Sequence, residues 1–286
     1  MTYKDNKKIL IIGSDGQLGY DLMRVFGKQA VGLTHKDIEI ADFEHTRKVV
    51  KENNPDVVIN TAAIVKLESC ETEPRACFTV NAVGAYHVAK ATAEVGAVII
   101  SISTDYVFDG SKKEFLEEDV VNPLNVYGAS KAAGENLVKI ANNKYYIIRS
   151  SSFFGFKIPH KGLDFPRRIL DLASKEEPVE VVDDQISSPT YTKDLAAQIK
   201  ELIDREAPYG IYHITNSGIA SWYQFAKEVF EIKKVKAKLI STKSDFNVKA
   251  KRPLNSVLIN SKLKTAGVSP LRNWKDALRE YFEELK

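Results

Sequence analysis

The sequence predicts an α/β fold, a doubly wound parallel sheet carrying a smaller C-terminal lobe. Three observations predict it. Strand-like apolar runs alternate with helix-like stretches, the first run leads through a glycine-rich turn into a helix, and the alternation loses its regularity past about residue 151. Residues 7–12 form a short apolar run bounded by Gly13, and residues 20–26 have the apolar spacing of a helix. Residues 30–34 read as a second strand, 43–51 as a helix, 56–60 as a third strand and 73–95 as one long helix. The fourth strand is read at 97–102, a helix begins near Tyr127, and 145–149 is the fifth strand. Such alternation implies a parallel sheet covered by helices on both faces. Gly13, Asn60, Ser103 and Ser150 then fall at strand ends, where ligands of these sheets bind, so separate pieces of sequence converge on one cleft. Beyond residue 151 come Pro159, Pro166, Pro178 and Pro189, helix-like stretches at 167–174 and 192–203, and strand-like ones at 179–182 and 211–214. The expected division is residues 1–150 for the sheet and 151–286 mainly for the smaller lobe, with segments interleaved.

Composition narrows the function classes. With 41 basic and 38 acidic residues, the net charge of +3 is too balanced to imply a nucleic-acid partner. The longest apolar runs, such as 97–100, are strand-sized and far short of the ~20 residues of a membrane span. A polar N-terminus without a signal-peptide core, and two cysteines outside any CxxC pair, suggest a reducing cytoplasm. Cys70 and Cys77 read as ordinary packing thiols, and no metal site is expected.

The candidate chemistry lies in three places. Gly13, Gly16 and Gly19 form a GxxGxxG turn between strand and helix, which places backbone N–H groups and a helix N-terminus at a phosphate site; alone, such a turn also serves merely as a connection. Tyr127 and Lys131 lie four residues apart on one helix face. A phenol ionises near pH 10 and a neighbouring ammonium lowers that value, so the pair makes a usable general acid. Thr104, after the fourth strand, supplies a second hydrogen bond to a carbonyl oxygen. A lone YxxxK means little; Thr104 upstream and the glycine turn give this one its weight. Together they point to reduction of a keto group by a nicotinamide cofactor.

These residues resemble the extended short-chain dehydrogenase/reductase superfamily, and within it the dTDP-4-dehydrorhamnose reductase family. The resemblance runs through Gly16-Gln17-Leu18-Gly19, Val80-Asn81-Ala82, Ser103-Thr104-Asp105-Tyr106-Val107-Phe108-Asp109-Gly110 and Arg252-Pro253-Leu254-Asn255-Ser256, nearly the whole chain. It implies a Rossmann-like fold, NADPH or NADH as cofactor, and reduction of the 4-keto group of a nucleotide-linked 6-deoxyhexose. That step completes an activated L-rhamnose for surface polysaccharides. By the same resemblance Gly13, Gly16, Gln17 and Leu18 meet the cofactor pyrophosphate, Asp42 and Phe43 the adenine side, and Ala62, Ala63 and Ile64 the nicotinamide ribose. Tyr127 is the proton donor, Lys131 binds the ribose hydroxyls, and Thr104 and Asp105 face the sugar. Arg252 is expected near the nucleotide sugar or as a surface ion-pair partner, and Asp42 also suits a helix cap. The protein is expected to act as a monomer or homodimer.

Departures bear on the substrate. Ile64-Val65 stands where many members have His-Thr, and Arg149-Ser150-Ser151-Ser152 where they read Arg-Thr-Ser-Trp, which removes a sugar-packing tryptophan. His35-Lys36 rather than an acid follows the second strand, so a 2′-phosphate is tolerated there. Some members bridge subunits through a glutamate-held metal; Asp21 falls near one such position and is expected to be solvent-exposed. Three other readings share parts of the pattern. A 4,6-dehydratase would carry Thr-Asp-Glu where Tyr106 stands third here, a C4 epimerase would retain NAD, and the regulatory subunit of methionine adenosyltransferase shows that the motifs can persist without turnover.

Overall fold

The structure, a computed structural model, describes residues 7–158, 162–175, 177–245 and 247–286; Pro159 lies outside them. Its frame begins with β1 (Ile9–Ile12), α1 (Gln17–Phe26), β2 (Ala30–Leu33), α2 (Phe43–Asn53) and β3 (Val57–Asn60). Two short helices follow, α3 (Leu67–Thr72) and α4 (Pro74–Phe78), then α5 (Ala85–Glu94), β4 (Val98–Thr104), α6 (Val126–Ala141) and β5 (Tyr145–Ser150). All strand neighbours in the frame are parallel, with β4 matching Thr104 to Ser150 on β5. β1 and β3 are buried on both faces, whereas the edge strand β2 is half-buried. Ile9 and Ile11 of β1 join a cluster with Leu18 and Leu22 of α1, while Leu10 and Ile12 pack on the opposite side with Val50, Val88 and Val138.

The smaller lobe contains β6 (Phe153–Phe154), α7 (Phe165–Ala173), β7 (Val179–Val182), β8 (Ile186–Ser187) and β9 (Thr190–Tyr191). The chain then returns to the frame. Helix α8 (Thr192–Asp204) sets Leu195, Ile199 and Leu202 into the α1 side of the sheet, and β10 (Gly210–His213) pairs with β5 at its edge. The six-stranded order is β10-β5-β4-β3-β1-β2. Within the stretch past residue 151, residues 211–213 therefore join the sheet and helix 192–203 packs on it, so these segments are interleaved with the smaller lobe. The apolar stripe of α8 supplies the cover that α1 alone cannot give that face. After β11 (Asn216–Ser217) and β12 (Ala220–Ser221), helix α9 (Trp222–Lys233), β13 (Leu239–Thr242), α10 (Ser261–Thr265), β14 (Leu271–Asn273) and α11 (Trp274–Glu284) complete the chain. Phe154, Tyr191, Phe225, Trp274 and Tyr281 form the aromatic core of the lobe.

The long helix read at 73–95 runs unbroken from Pro74 to Glu94, with residues 79–84, Asn81 among them, wound as a π-helix. One expectation is corrected here. Asp21 is buried, because α8 lies on α1: Thr192 donates to its Oδ2 at 2.6 Å, Arg24 is 3.5 Å from Oδ1, and burial raises its pKa. Among the described residues no group of three or more His, Cys, Asp and Glu side chains could hold a metal, and none of their helices is long and apolar enough to cross a membrane.

Candidate active site

At the first strand end Gly13 adopts φ +82°, a conformation that favours glycine, and its N–H and that of Ser14 bond the Leu33 carbonyl. Helix α1 (from Gln17) has Gly16 as its cap residue, which has no side chain to bond the first-turn N–H groups. Gln17 reaches across to Asp164 of the lobe at 3.3 Å, and Tyr20 stacks on Phe156. At the far end Asp42 caps α2 by accepting from His45 N at 3.0 Å, the alternative role foreseen for it, and Phe43 packs against His87. After β2, Asp37 accepts from both the N–H and hydroxyl of Thr34 at 2.8 Å, a turn that displays His35 and Lys36.

Ala62, Ala63 and Ile64 follow β3 as a half-buried loop. Asn81, in the π-helical stretch, holds this loop: its Oδ1 accepts from Ile64 N at 2.8 Å and its Nδ2 donates to Ile64 O at 2.9 Å. Asn81 also donates to Ser130 Oγ at 3.0 Å, and Ser130 donates to the Tyr127 carbonyl at 2.7 Å, so one buried amide ties the loop to α6. Cys77 touches the same pair, 3.3 Å from Asn81 Nδ2 and 3.2 Å from Ser130 Oγ, with the free thiol of Cys70 at 2.7 Å. Burial pushes the Cys70 thiol up to about 12.

Helix α6 carries Tyr127 and Lys131. Asn125 caps it, accepting from Gly128 N at 2.8 Å while donating to Lys251 O at 2.8 Å. Gly128 is required because a Cβ there would meet the Tyr106 carbonyl at 2.1 Å, and that contact sets the helix against the Thr104 strand end. The Thr104 hydroxyl donates to Asp105 Oδ1 at 3.1 Å and holds the Tyr127 phenol pKa down against burial, and Tyr106 meets the Tyr127 ring edge-on. Lys131 is buried and donates to Ile102 O at 2.7 Å. The expected tuning of Tyr127 by Lys131 is absent from this geometry. Burial raises the phenol pKa, Thr104 opposes that rise, and the ammonium is held by the strand carbonyl. Lys131 itself is pushed down to about 8 by burial, with Glu135 one turn on pulling it upward.

Asp105 is buried among hydroxyls, and burial pushes its carboxyl up to about 6. Arg252 pairs with Glu68 of α3 at 2.8 Å, the ion-pair role foreseen for it, and its charge lowers the Tyr106 phenol pKa against burial. The structure thus brings Thr104, Asp105, Tyr127 and Lys131 together, with Arg252 at the rim and Asp42 and Phe43 remote from them. Glu135 was missed in the sequence. Its signal was an acid four residues after Lys131, at the end of the run Ala132-Ala133-Gly134. Asn81 stood in a quoted motif with no role attached.

A family profile described as "RmlD substrate binding domain" matches residues 7–286. The chain belongs to this family. It is 39% identical over 282 residues to the spore coat polysaccharide biosynthesis protein SpsK of Bacillus subtilis, covering 97% of each chain. It is 36% identical to a dTDP-4-dehydrorhamnose reductase of Streptomyces griseus, covering 96% of this chain and 93% of that one. Among solved structures, dTDP-4-dehydrorhamnose reductase of Bacillus anthracis in complex with NADP superposes with a TM-score of 0.93 at 35% identity, covering 98% and 99% of the two chains. UDP-glucose 4-epimerase of Thermotoga maritima, at 17% identity and a TM-score of 0.82, shares the fold.

Proposed function

We propose that the protein is an NADPH-dependent reductase of the 4-keto group of a nucleotide-linked deoxy sugar, with dTDP-4-dehydro-L-rhamnose as substrate and dTDP-L-rhamnose as product. The observation that carries this reading is the junction of Tyr127, Thr104 and the Lys131 ammonium at the carboxyl end of β4, below a loop held by Asn81. Relatives named for dTDP-4-dehydrorhamnose reduction, and a neighbour solved with NADP, support it. The residues fit a dinucleotide: the uncapped N-terminus of α1 suits a pyrophosphate, and Lys131 suits ribose hydroxyls. When bound, the nicotinamide supplies hydride to C4. Tyr127 gives its proton to the oxygen, Thr104 holds that oxygen, and Lys131 keeps positive charge beneath the developing alkoxide.

The test is NADPH oxidation with freshly generated dTDP-4-dehydro-L-rhamnose and chromatographic identification of the product. Formation of dTDP-L-rhamnose establishes chemistry and substrate together. No oxidation with cofactor still bound would move the substrate to another keto sugar or the protein to a non-catalytic role.

Two further outcomes follow from the site. Lys131 stays charged below about pH 8 and loses its proton above it, so kcat/KM should fall on the alkaline side with a midpoint near 8. A pH–rate profile checks this; a limb near the ordinary lysine value of 10.5 contradicts it. Lys36→Glu should raise the KM for NADPH on the order of 10-fold and leave that for NADH nearly unchanged, as the turn after β2 lies where a 2′-phosphate is read. Equal effects on both cofactors would remove Lys36 from that role.

A further inference from the structure

From residue 61 to residue 80 only Cys70 and Cys77 are buried, and they are the two cysteines of the chain. On one straight helix, residues seven apart lie two turns, about 10.5 Å, from each other. Here the helix is broken: Glu73 takes φ −127° and ψ 61° between α3 and α4, and Pro74 opens the second helix. That turn brings the two sulfurs to 2.7 Å, with both cysteines free. A disulfide bond is about 2.05 Å long, so closure asks for an approach of roughly 0.7 Å more. The pair also reaches the site. Cys70 donates to the Ile64 carbonyl at 3.8 Å, and Cys77 Sγ lies 3.3 Å from Asn81 Nδ2 and 3.2 Å from Ser130 Oγ. The stretch around the pair is thinly anchored: Val65, Lys66 and Glu68 are exposed, as are residues 72–76. A segment that buries so little surface opens at low free-energy cost, and such opening admits an oxidant to sulfurs that the closed fold covers.

We propose that Cys70 and Cys77 are a redox site, closed by a peroxide to a disulfide that staples α3 to α4 behind the Ile64 loop and reopened by a thiol reductant. The inference stands apart from the keto-reductase reading and goes beyond it. In the first step one thiol loses its proton and its sulfur attacks a peroxide oxygen; the O–O bond breaks, a sulfenic acid forms and one water leaves. The second sulfur then attacks the first; the S–O bond breaks, the S–S bond forms and a second water leaves. The two sulfurs together lose two electrons and two protons, and one peroxide becomes two waters. A dithiol reductant returns both S–H groups by exchange. Burial pushes the Cys70 thiol up to about 12, so the closed fold resists the first step and the reaction proceeds from open states of the segment. The site therefore answers sustained oxidation rather than a brief pulse. Once one sulfur is oxidised, a partner 2.7 Å away captures it before a second oxygen is added.

Thiol counting and intact mass on the full-length protein, before and after hydrogen peroxide, test the site. With two cysteines in the chain, the reduced protein should give two thiols on denaturation and the treated protein none, with a mass lower by two hydrogens. Dithiothreitol should restore both. Retention of both thiols, a gain of oxygen in place of the loss of hydrogen, or a covalent dimer on a non-reducing gel would each overturn the proposal. Hydrogen exchange read by mass spectrometry tests the staple. Peptides covering residues 61–80 should exchange on the order of 10-fold more slowly in the oxidised protein, because the cross-link removes open states of the segment. Cys70→Ser should show no such slowing after peroxide. Equal exchange in oxidised and reduced wild type would overturn the staple, and that comparison needs no variant. Neither readout involves a sugar, so failure of the redox site and failure of the reductase reading are separate results.

Discussion

Tyr127→Phe is expected to lower turnover on the order of 10²–10⁴-fold, the usual worth of a positioned acid, while the cofactor Kd changes little. The phenol is the O–H group beside Thr104 at the β4 end, and the substitution removes that one oxygen from a ring that is otherwise kept. Because burial raises its pKa, the phenol carries its proton throughout the working range. Steady-state rates and fluorescence titration of NADPH check both halves. Turnover within a few-fold of wild type would end the assignment of Tyr127 as acid. A parallel loss of cofactor binding would mean that the ring, rather than the hydroxyl, was the working part.

Glu135→Leu should destabilise the protein by about 3–5 kcal/mol, because it strands a buried guanidinium. Arg149 donates to Glu135 through Nε at 2.9 Å and Nη2 at 2.7 Å, and both side chains are buried. Ser103 donates to the same carboxylate, and Arg149 lies over the Phe108 ring, 5.1 Å from its centroid. The expected drop in Tm is on the order of 10 °C. The double variant Glu135→Leu/Arg149→Met should recover much of this loss, since it leaves no unpaired guanidinium in the core. Calorimetry of the two variants decides it, and a single variant as stable as wild type would show that water reaches Arg149. Glu135 also supports the charge on Lys131, so the alkaline limb of the pH profile should move to lower pH in the single variant.

Much of the frame was legible because its signals are local. The strands at 30–33 and 57–60, the turn at Gly13 and the start of α6 depend on apolar runs, a glycine conformation and the Asn125 cap, all short-range in sequence. The glycine turn, Thr104 and the Tyr127–Lys131 spacing pointed to the candidate site for the same reason. Where sequence reasoning fell short, distant segments decided the outcome. Period alone continued the helix through residues 79–84, as found, but gave no sign of the π-helical winding there, where Asn81 bonds both Ile64 and Ser130. An acid on the first helix reads as solvent-facing until α8, 171 residues later at Thr192, covers it.

The sequence by itself determined the α/β class, the order of the first five strands along the chain, and the residues that can carry keto reduction. It determined these because backbone propensity and side-chain chemistry act over a few neighbours. Tertiary structure alone decided that β10 and α8 return to the sheet, that Lys131 faces the Ile102 carbonyl rather than tuning Tyr127, and that Asp105 is buried against serines. Those outcomes depend on which buried polar groups find partners and which surfaces lose water, and both are set by segments that meet only when the chain has folded.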